Sequence, residues 1–175
     1  SLNRFFEAHD MHIADAEQVE LHGISLRVTA KKGRGSSSER TKSILAEEAQ
    51  ALTPEKLKEF GQNVDTQLNA LKAKLEEYKK AGLKVGGYGA PARVATICNY
   101  GQIGPDLIEF IVDDSPLKQN KFSPGTHIPI VPNTHLAGNR PDVLVVFAYE
   151  YFDDIKKKLV GSYRFLLPIP PREVV

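Results

Sequence analysis

The residues whose spacing most directly indicates a binding site are two closely spaced glycines. They follow a short apolar run and precede a Pro-Ala pair that could start a helix. Gly87-Tyr88-Gly89-Ala90-Pro91-Ala92 fits the fingerprint of a dinucleotide-binding turn, with alanine in the third small position. Such a turn aims the first backbone amides of a helix at a phosphate group. Asp113 ends the next predicted strand, where an acidic residue could take a ribose hydroxyl. A phosphate site is therefore predicted, although Pro91 lacks an amide hydrogen and a purely structural turn is the alternative.

The polar segment from Asp113 to His127 supplies further candidate binding groups. It has no convincing helix or strand pattern, and a loop of this length in a compact domain is usually functional or disordered. Flanked by strands, it would lie over the carboxyl edge of the sheet, where open α/β folds bind ligands. The simpler alternatives are an ion pair for Arg93 and a neutral, hydrogen-bonded imidazole for His127. The cationic or titratable side chains of this segment are Lys118, Lys121 and His127, and Arg93, in the first turn of the predicted helix, could contact the same phosphate.

No metal site is predicted from the remaining titratable residues. His9 and His12 lie close together in the sequence, but no carboxylate or cysteine stands at metal-ligand spacing from them. Glu150, Asp153 and Asp154 are typical first-turn charges that interact favourably with a helix dipole.

The composition limits the classes of partner and the cellular compartments that are expected for this chain. Lys and Arg number 23 against 22 for Asp and Glu, so there is no basic excess for a nucleic-acid partner. The longest apolar run, Val143 to Tyr149, is far shorter than a membrane span. The only cysteine, Cys98, suits a reducing compartment, and a cytoplasmic protein is expected. Because the sequence begins at Ser1 without a methionine, a processed chain or a fragment is expected.

The first 40 residues predict a small appendage and a linker. A helix with Leu2, Phe5 and Phe6 on one side precedes two strands that meet near His22-Gly23, which is too little to enclose a core. The small and polar residues that follow predict a flexible linker. The predicted organisation is therefore an appendage at 1–30, a linker at 31–40 and a main domain at 41–175.

The main domain is predicted to be α/β, with a Rossmann-like, mostly parallel sheet covered by helices on both faces. A long helix from Pro54 to Lys80, capped by Thr53 and stopped at Gly82, precedes the sheet and could pair with a second copy of the chain. Continuous apolar strands then alternate with helices. The strands are predicted near 107–112, 128–130, 143–147 and 164–167, and the helices at 91–100 and 153–159.

Several motifs in a fixed order resemble one family. The chain is similar to the carboxyl-terminal domain of S-adenosylmethionine-dependent C-methyltransferases that act on nucleotide-linked deoxysugars, over about residues 41–171. The first 30 residues resemble the last helix and strand pair of that family's methyl-donor domain. The motifs are Gly87-Tyr88-Gly89-Ala90-Pro91-Ala92, Asn99-Tyr100, Asp113, Pro116, Lys118-Gln119, Pro124-Gly125-Thr126-His127-Ile128-Pro129-Ile130 and Pro168-Ile169-Pro170.

This resemblance implies a substrate-side domain rather than a complete enzyme. In such enzymes the S-adenosylmethionine site, a zinc module and the catalytic base lie upstream of the position that matches Ser1, so this chain is expected not to transfer a methyl group by itself. An NAD(P)-binding module of an oxidoreductase and a non-catalytic interaction domain are the alternatives. The substrate-binding residues expected for a nucleotide sugar are Gly87, Tyr88, Gly89, Ala90, Arg93, Asn99, Asp113, Lys118, Lys121, Gly125, Thr126 and His127.

Overall fold

The computed structural model describes residues 2–21, 24–159, 161 and 163–174. The chain divides into two compact units, one up to residue 60 and one from residue 61 onward. The predicted turn at His22-Gly23 lies outside the described residues.

A hairpin and two helices form the first unit. Its elements are α1 (Leu2–Glu7), β1 (Met11–Glu20), β2 (Ile24–Lys32) and α2 (Glu39–Ala51). The strands pair antiparallel with an irregularity between Ile13 and Asp15. Only Ile13, Ala16 and Thr41 are buried among the described residues up to 52, so this core is small. Both strands are longer than predicted, and α2 was not predicted because its apolar residues are few.

The segment predicted as a flexible linker is hydrogen-bonded to β1. The Gly33 amide donates to the Asp10 carbonyl at 2.7 Å, and the Ser38 amide donates to the Ala14 carbonyl at 2.9 Å. The Ser37 hydroxyl donates to the Ile13 carbonyl at 2.6 Å. Ser38 also caps α2, since its Oγ accepts from the Thr41 amide at 3.2 Å. The hydroxyls of Ser37 and Ser38 thus hold this segment against β1.

Helix α3 (Pro54–Lys80) has the bounds that the sequence pattern predicts. Thr53 Oγ1 accepts from the Lys56 amide at 3.2 Å and so caps the first turn. Gly82 has a φ of +70°, the left-handed conformation that ends helices. The buried side chains of α3 are Leu68, Leu71, Leu75 and Tyr78.

The second unit contains a seven-stranded, mostly parallel sheet, which confirms the predicted α/β class. Its strand order is β5-β6-β4-β3-β7-β8-β9, in which the five central strands run parallel and each edge strand is antiparallel to its neighbour. The elements are β3 (Val85–Tyr88), α4 (Ala92–Tyr100), β4 (Ile111–Val112), β5 (Lys121–Phe122), β6 (Pro129–Val131), β7 (Val143–Val146), α5 (Phe152–Lys158), β8 (Arg164–Pro168) and β9 (Pro171–Val174).

Three details differ from the prediction. The strand expected at 107–112 shrinks to β4, because the Leu107 and Ile108 amides turn back to the Gly104 carbonyl at 3.1 and 3.0 Å. The predicted loop contains the short strand β5, whose Lys121 and Phe122 pair with β6. The edge strand β9 was not predicted.

Side chains on the two faces of this sheet enter separate cores. In β7, Val143 and Val145 pack with the buried residues of α3 and α4, while Leu144 and Val146 pack with Ile155 of α5. This alternation, in which successive side chains point to opposite faces, explains the unbroken apolar run. The carboxyl ends of β3, β4 and β7 therefore lie between two helical layers.

Candidate binding site

The glycine turn after β3 is closely packed by the chain that follows β7. Gly89 has a φ of +81°, and a Cβ placed on it would lie 2.5 Å from Ala148 Cβ and 3.2 Å from the Ala148 backbone nitrogen. A Cβ on Gly87 would lie 2.9 Å from Ile111 Cγ1. These glycines therefore permit a close approach between strand ends, and neither is exposed.

The backbone amide that a dinucleotide-binding turn would use for a phosphate is hydrogen-bonded to a carboxylate of the same chain. Asp113 Oδ2 accepts a hydrogen bond from the Ala90 amide at 2.6 Å, and Oδ1 accepts from the Ser115 amide at 2.9 Å. Lys118 Nζ lies 3.3 Å from the same Oδ2. Asp113 is 7% exposed, and both of its carboxylate oxygens already bind donors of its own chain. This geometry does not fit the role of a ribose acceptor.

A pocket of about 260 Å³ lies beside the carboxyl ends of β3 and β4. One wall is the start of α4, with Ala92, Val94 and Ala95. The structure brings Ala90, Lys118 and Lys121 of the predicted site together here. The remaining lining residues are Pro91, Leu117, Phe122, Ser123, Pro124 and Ile130.

Two lysines stand at this mainly apolar pocket. Lys118 pairs with Asp113, whereas Lys121 makes no ion pair or side-chain hydrogen bond with any described residue. Leu117 and Phe122, which also line the pocket, are 79% and 61% exposed. An exposed aromatic ring beside an unpaired ammonium suits a ligand that combines a flat apolar group with negative charge.

Arg93 points to a different partner from the one expected. Its guanidinium stacks 4.4 Å from the centre of the Tyr149 ring and forms an ion pair with Glu150. Arg93 Nη2 also donates a hydrogen bond to Glu150 Oε1, and this bond lowers the pKa of the Glu150 carboxyl. Arg93 does not line the pocket, so its geometry matches the simpler alternative of an ion pair.

Asn99, Gly125 and Thr126 hold the loop that precedes β6. Asn99 Nδ2 donates to the Ala95 carbonyl at 2.7 Å and to the Pro124 carbonyl at 2.8 Å. Gly125, with a φ of +84°, leaves no room for a Cβ beside Asn99. The Thr126 and Ser123 hydroxyls are 2.7 Å apart. These residues therefore shape one end of the pocket without lining it.

His127 and Tyr88 also lie outside the pocket lining. His127 is exposed and has a φ of +56°, a conformation unusual for a non-glycine residue. Tyr88 is 3% exposed, and its hydroxyl lies 3.5 Å from Asp114 Oδ2. Burial, together with the Asp114 charge, raises the pKa of Tyr88 to about 12. Tyr88 is therefore a neutral core residue at physiological pH.

The apolar part of the pocket was not predicted from the sequence. Leu117 and Phe122 lie in a segment without a helix or strand pattern, so no local periodicity marks them as lining residues. The one available signal was Phe122, an aromatic residue next to a lysine in a polar segment.

The described residues contain neither a cluster arranged to bind a metal ion nor a helix able to span a membrane. Within the described ranges, no group of three or more His, Cys, Asp or Glu side chains is arranged to hold a metal ion. None of the helices in those ranges combines the length and the hydrophobicity needed to cross a membrane.

By fold and site, the second unit is an α/β domain with a pocket beside the carboxyl ends of its parallel strands, the region where open α/β sheets bind ligands. Residues 20–170 match the C-methyltransferase C-terminal domain family, and the chain belongs to that family. It is similar to C-methyltransferase NovU of Streptomyces niveus, with 30% identity over 183 residues that cover 100% of this chain and 44% of that protein. The chain thus spans less than half the length of this curated relative.

Proposed function

We propose that this chain is the acceptor-binding part of an S-adenosylmethionine-dependent C-methyltransferase whose substrate is a nucleotide-linked deoxysugar. Membership of the C-methyltransferase C-terminal domain family supports the reaction class. The strand order β6-β4-β3-β7-β8 supports a Rossmann-like second unit, because it follows the 3-2-1-4-5 order of dinucleotide-binding folds. In this proposal the chain binds the acceptor and does not transfer the methyl group by itself.

The pocket beside α4 is the observation that carries the proposal. Its apolar wall suits the flat base of a nucleotide, and its two lysines suit the diphosphate that links the nucleoside to the sugar. Lys121 is the stronger candidate for a phosphate contact, because Lys118 is already paired with Asp113.

S-adenosylmethionine, which supplies the methyl group when bound, does not fit the glycine turn of this chain. Ala148 packs directly against Gly89, and the Asp113 carboxylate is taken up by the Ala90 and Ser115 amides. The same two features disfavour NAD(P), which would need the same turn and the same acidic side chain. In this proposal the methyl-donor site therefore belongs to the rest of the full-length enzyme.

We also propose a cytoplasmic location. Cys98 is a buried free thiol, and burial raises its pKa to about 12. A single shielded thiol is compatible with a reducing compartment, where nucleotide sugars would be available as substrates.

Calorimetric titration of the 175-residue chain with dTDP tests the pocket. We expect Lys121→Gln to weaken dTDP binding roughly fivefold, since it removes one charge-assisted contact to phosphate. Lys80→Gln, which makes the same charge change at the end of α3, is the matched control and should leave binding unchanged. Equal affinities for wild type and Lys121→Gln would contradict the assignment of the diphosphate to this pocket.

A further inference from the structure

The Asp113 carboxylate joins two segments that both contribute residues to the pocket lining. It accepts from the Ala90 amide, which lies directly before α4, and from the Ser115 amide, which begins the segment that carries Lys118. The backbone of Asp113 is fixed as well, because its amide donates to the Val131 carbonyl at 3.1 Å and its carbonyl accepts from Gln119 Nε2 at 2.9 Å. The Asp113 side chain thus ties the start of the 113–127 segment to the residue two positions before α4.

The same carboxylate also holds the Lys118 ammonium. Lys118 Nζ lies 3.3 Å from Asp113 Oδ2, and the Lys118 side chain is 44% exposed. An ammonium group has three N–H donors, and one contact to Asp113 leaves two for a ligand. Lys118 can therefore bridge the buried carboxylate and a phosphate at the pocket without leaving its position.

We propose that Asp113 is the positioning residue of the acceptor site: its carboxylate takes the place of a phosphate at the glycine turn and thereby fixes Lys118 for the diphosphate of the acceptor. This inference rests on the proposed function, because it assumes that the pocket binds a nucleotide diphosphate. In this arrangement the Ala90 amide of the turn binds the Asp113 carboxylate, and the lysines bind the negative charge of the ligand. Fixing a charged side chain before binding reduces the conformational entropy lost on binding.

Removing the carboxylate should create a site for a small anion. Asp113→Ala leaves the Ala90 amide, the Ser115 amide and the Lys118 ammonium without their acceptor. We expect Asp113→Ala to lower the melting temperature of the chain by several degrees, since buried donors lose their partner. Sodium formate, which matches the missing carboxylate in size, should recover most of this loss, whereas sodium chloride at equal ionic strength should not.

Nucleotide affinity distinguishes positioning from a structural role alone. We expect Asp113→Ala to bind dTDP about tenfold more weakly than wild type, and formate to restore that affinity toward the wild-type value measured in the same buffer. Asp114→Ala is the matched control, since Asp114 contacts Lys158 and Tyr88 and does not line the pocket. In a Lys118→Gln background, Asp113→Ala should weaken binding much less, because Asp113 acts through Lys118.

Several results would overturn the inference. One is a folded Asp113→Ala chain that binds dTDP as tightly as wild type. Another is formate that restores the melting temperature but not the affinity, which would leave Asp113 with a structural role only. A third is an equal effect of chloride and formate. Absence of dTDP binding by the wild-type chain would instead overturn the proposed function together with this inference.

Discussion

A Cβ placed on Gly89 would make the closest contact of the glycine turn, and its neighbour would be Ala148. The position follows from sequence, because two spaced glycines before a helix start predict a tight turn. Its neighbour does not follow from sequence, since Ala148 is brought to Gly89 only by the pairing of β3 with β7. The fingerprint therefore predicts the backbone shape correctly and leaves open what the glycine accommodates.

Gly89→Ala tests this packing role. We expect it to lower the free energy of unfolding by about 2–4 kcal/mol, because the new Cβ meets Ala148 and the φ of +81° is unfavourable for alanine. Urea unfolding followed by far-UV circular dichroism measures the change.

Gly138→Ala is the control for Gly89→Ala. Nothing lies within 4 Å of a Cβ at Gly138, and its φ is −104°, so it should cost little. A Gly89→Ala chain as stable as Gly138→Ala would show that the close approach to Ala148 is wrong.

At the scale of elements, the segment 113–127 shows why the candidate site was only partly predictable. The pattern correctly identified a long connection between two strands, and Lys118 and Lys121 do line the pocket. It did not reveal that Asn99 fastens this segment to α4 or that β5 pairs with β6. Asn99 and Pro124 are 25 residues apart, and β5 has only two residues, so no local periodicity encodes either contact.

The junction of α2 with β1 depends on a charged pair that titrates in acid. Arg40 Nε donates to Asp15 Oδ1 at 2.6 Å, and the Ser38 hydroxyl donates to the same oxygen at 2.6 Å. These contacts hold the pKa of Asp15 well below its ordinary value of 3.8. Because the folded pKa is lowered, the stabilisation is fully present above that ordinary value and is lost as the pH falls below it.

Asp15→Asn should therefore flatten the acid dependence of stability. We expect the variant to melt below wild type at about pH 7, and the difference to narrow as the pH falls below 3.8, because the unfolded wild-type chain then binds a proton that the folded chain does not. Circular dichroism melting curves across this range provide the measurement. Glu20→Gln, an exposed change on the same strand, should keep the wild-type pH dependence. A constant offset between Asp15→Asn and wild type at every pH would contradict the role of the ion pair.

For the whole molecule, the central parallel sheet was more predictable than the division of the chain. Unbroken apolar runs such as Val143 to Phe147 indicate strands buried on both faces, and β7 fulfils this. The division at residue 60 lies inside α3, where the helical pattern continues without interruption. Composition predicted a linker at 31–40 instead, because hydrogen bonds from Ser37 and Ser38 to β1 cannot be inferred from a serine-rich run.

Self-association through the long helix stays a prediction. Leu57 and Phe60, near the start of α3, are 54% and 67% exposed and are the apolar side chains that such a contact would cover. Neither residue lines the pocket of the proposed acceptor site.

Amide chemical-shift mapping with dTDP tests the central claim most directly. In ¹⁵N spectra of the 175-residue chain, we predict saturable shifts at Ala92, Ala95, Lys121 and Phe122, with the first unit unaffected. Shifts confined to residues outside the pocket, or an unchanged spectrum of both the chain and the full-length enzyme at high dTDP concentration, would contradict an acceptor site beside α4.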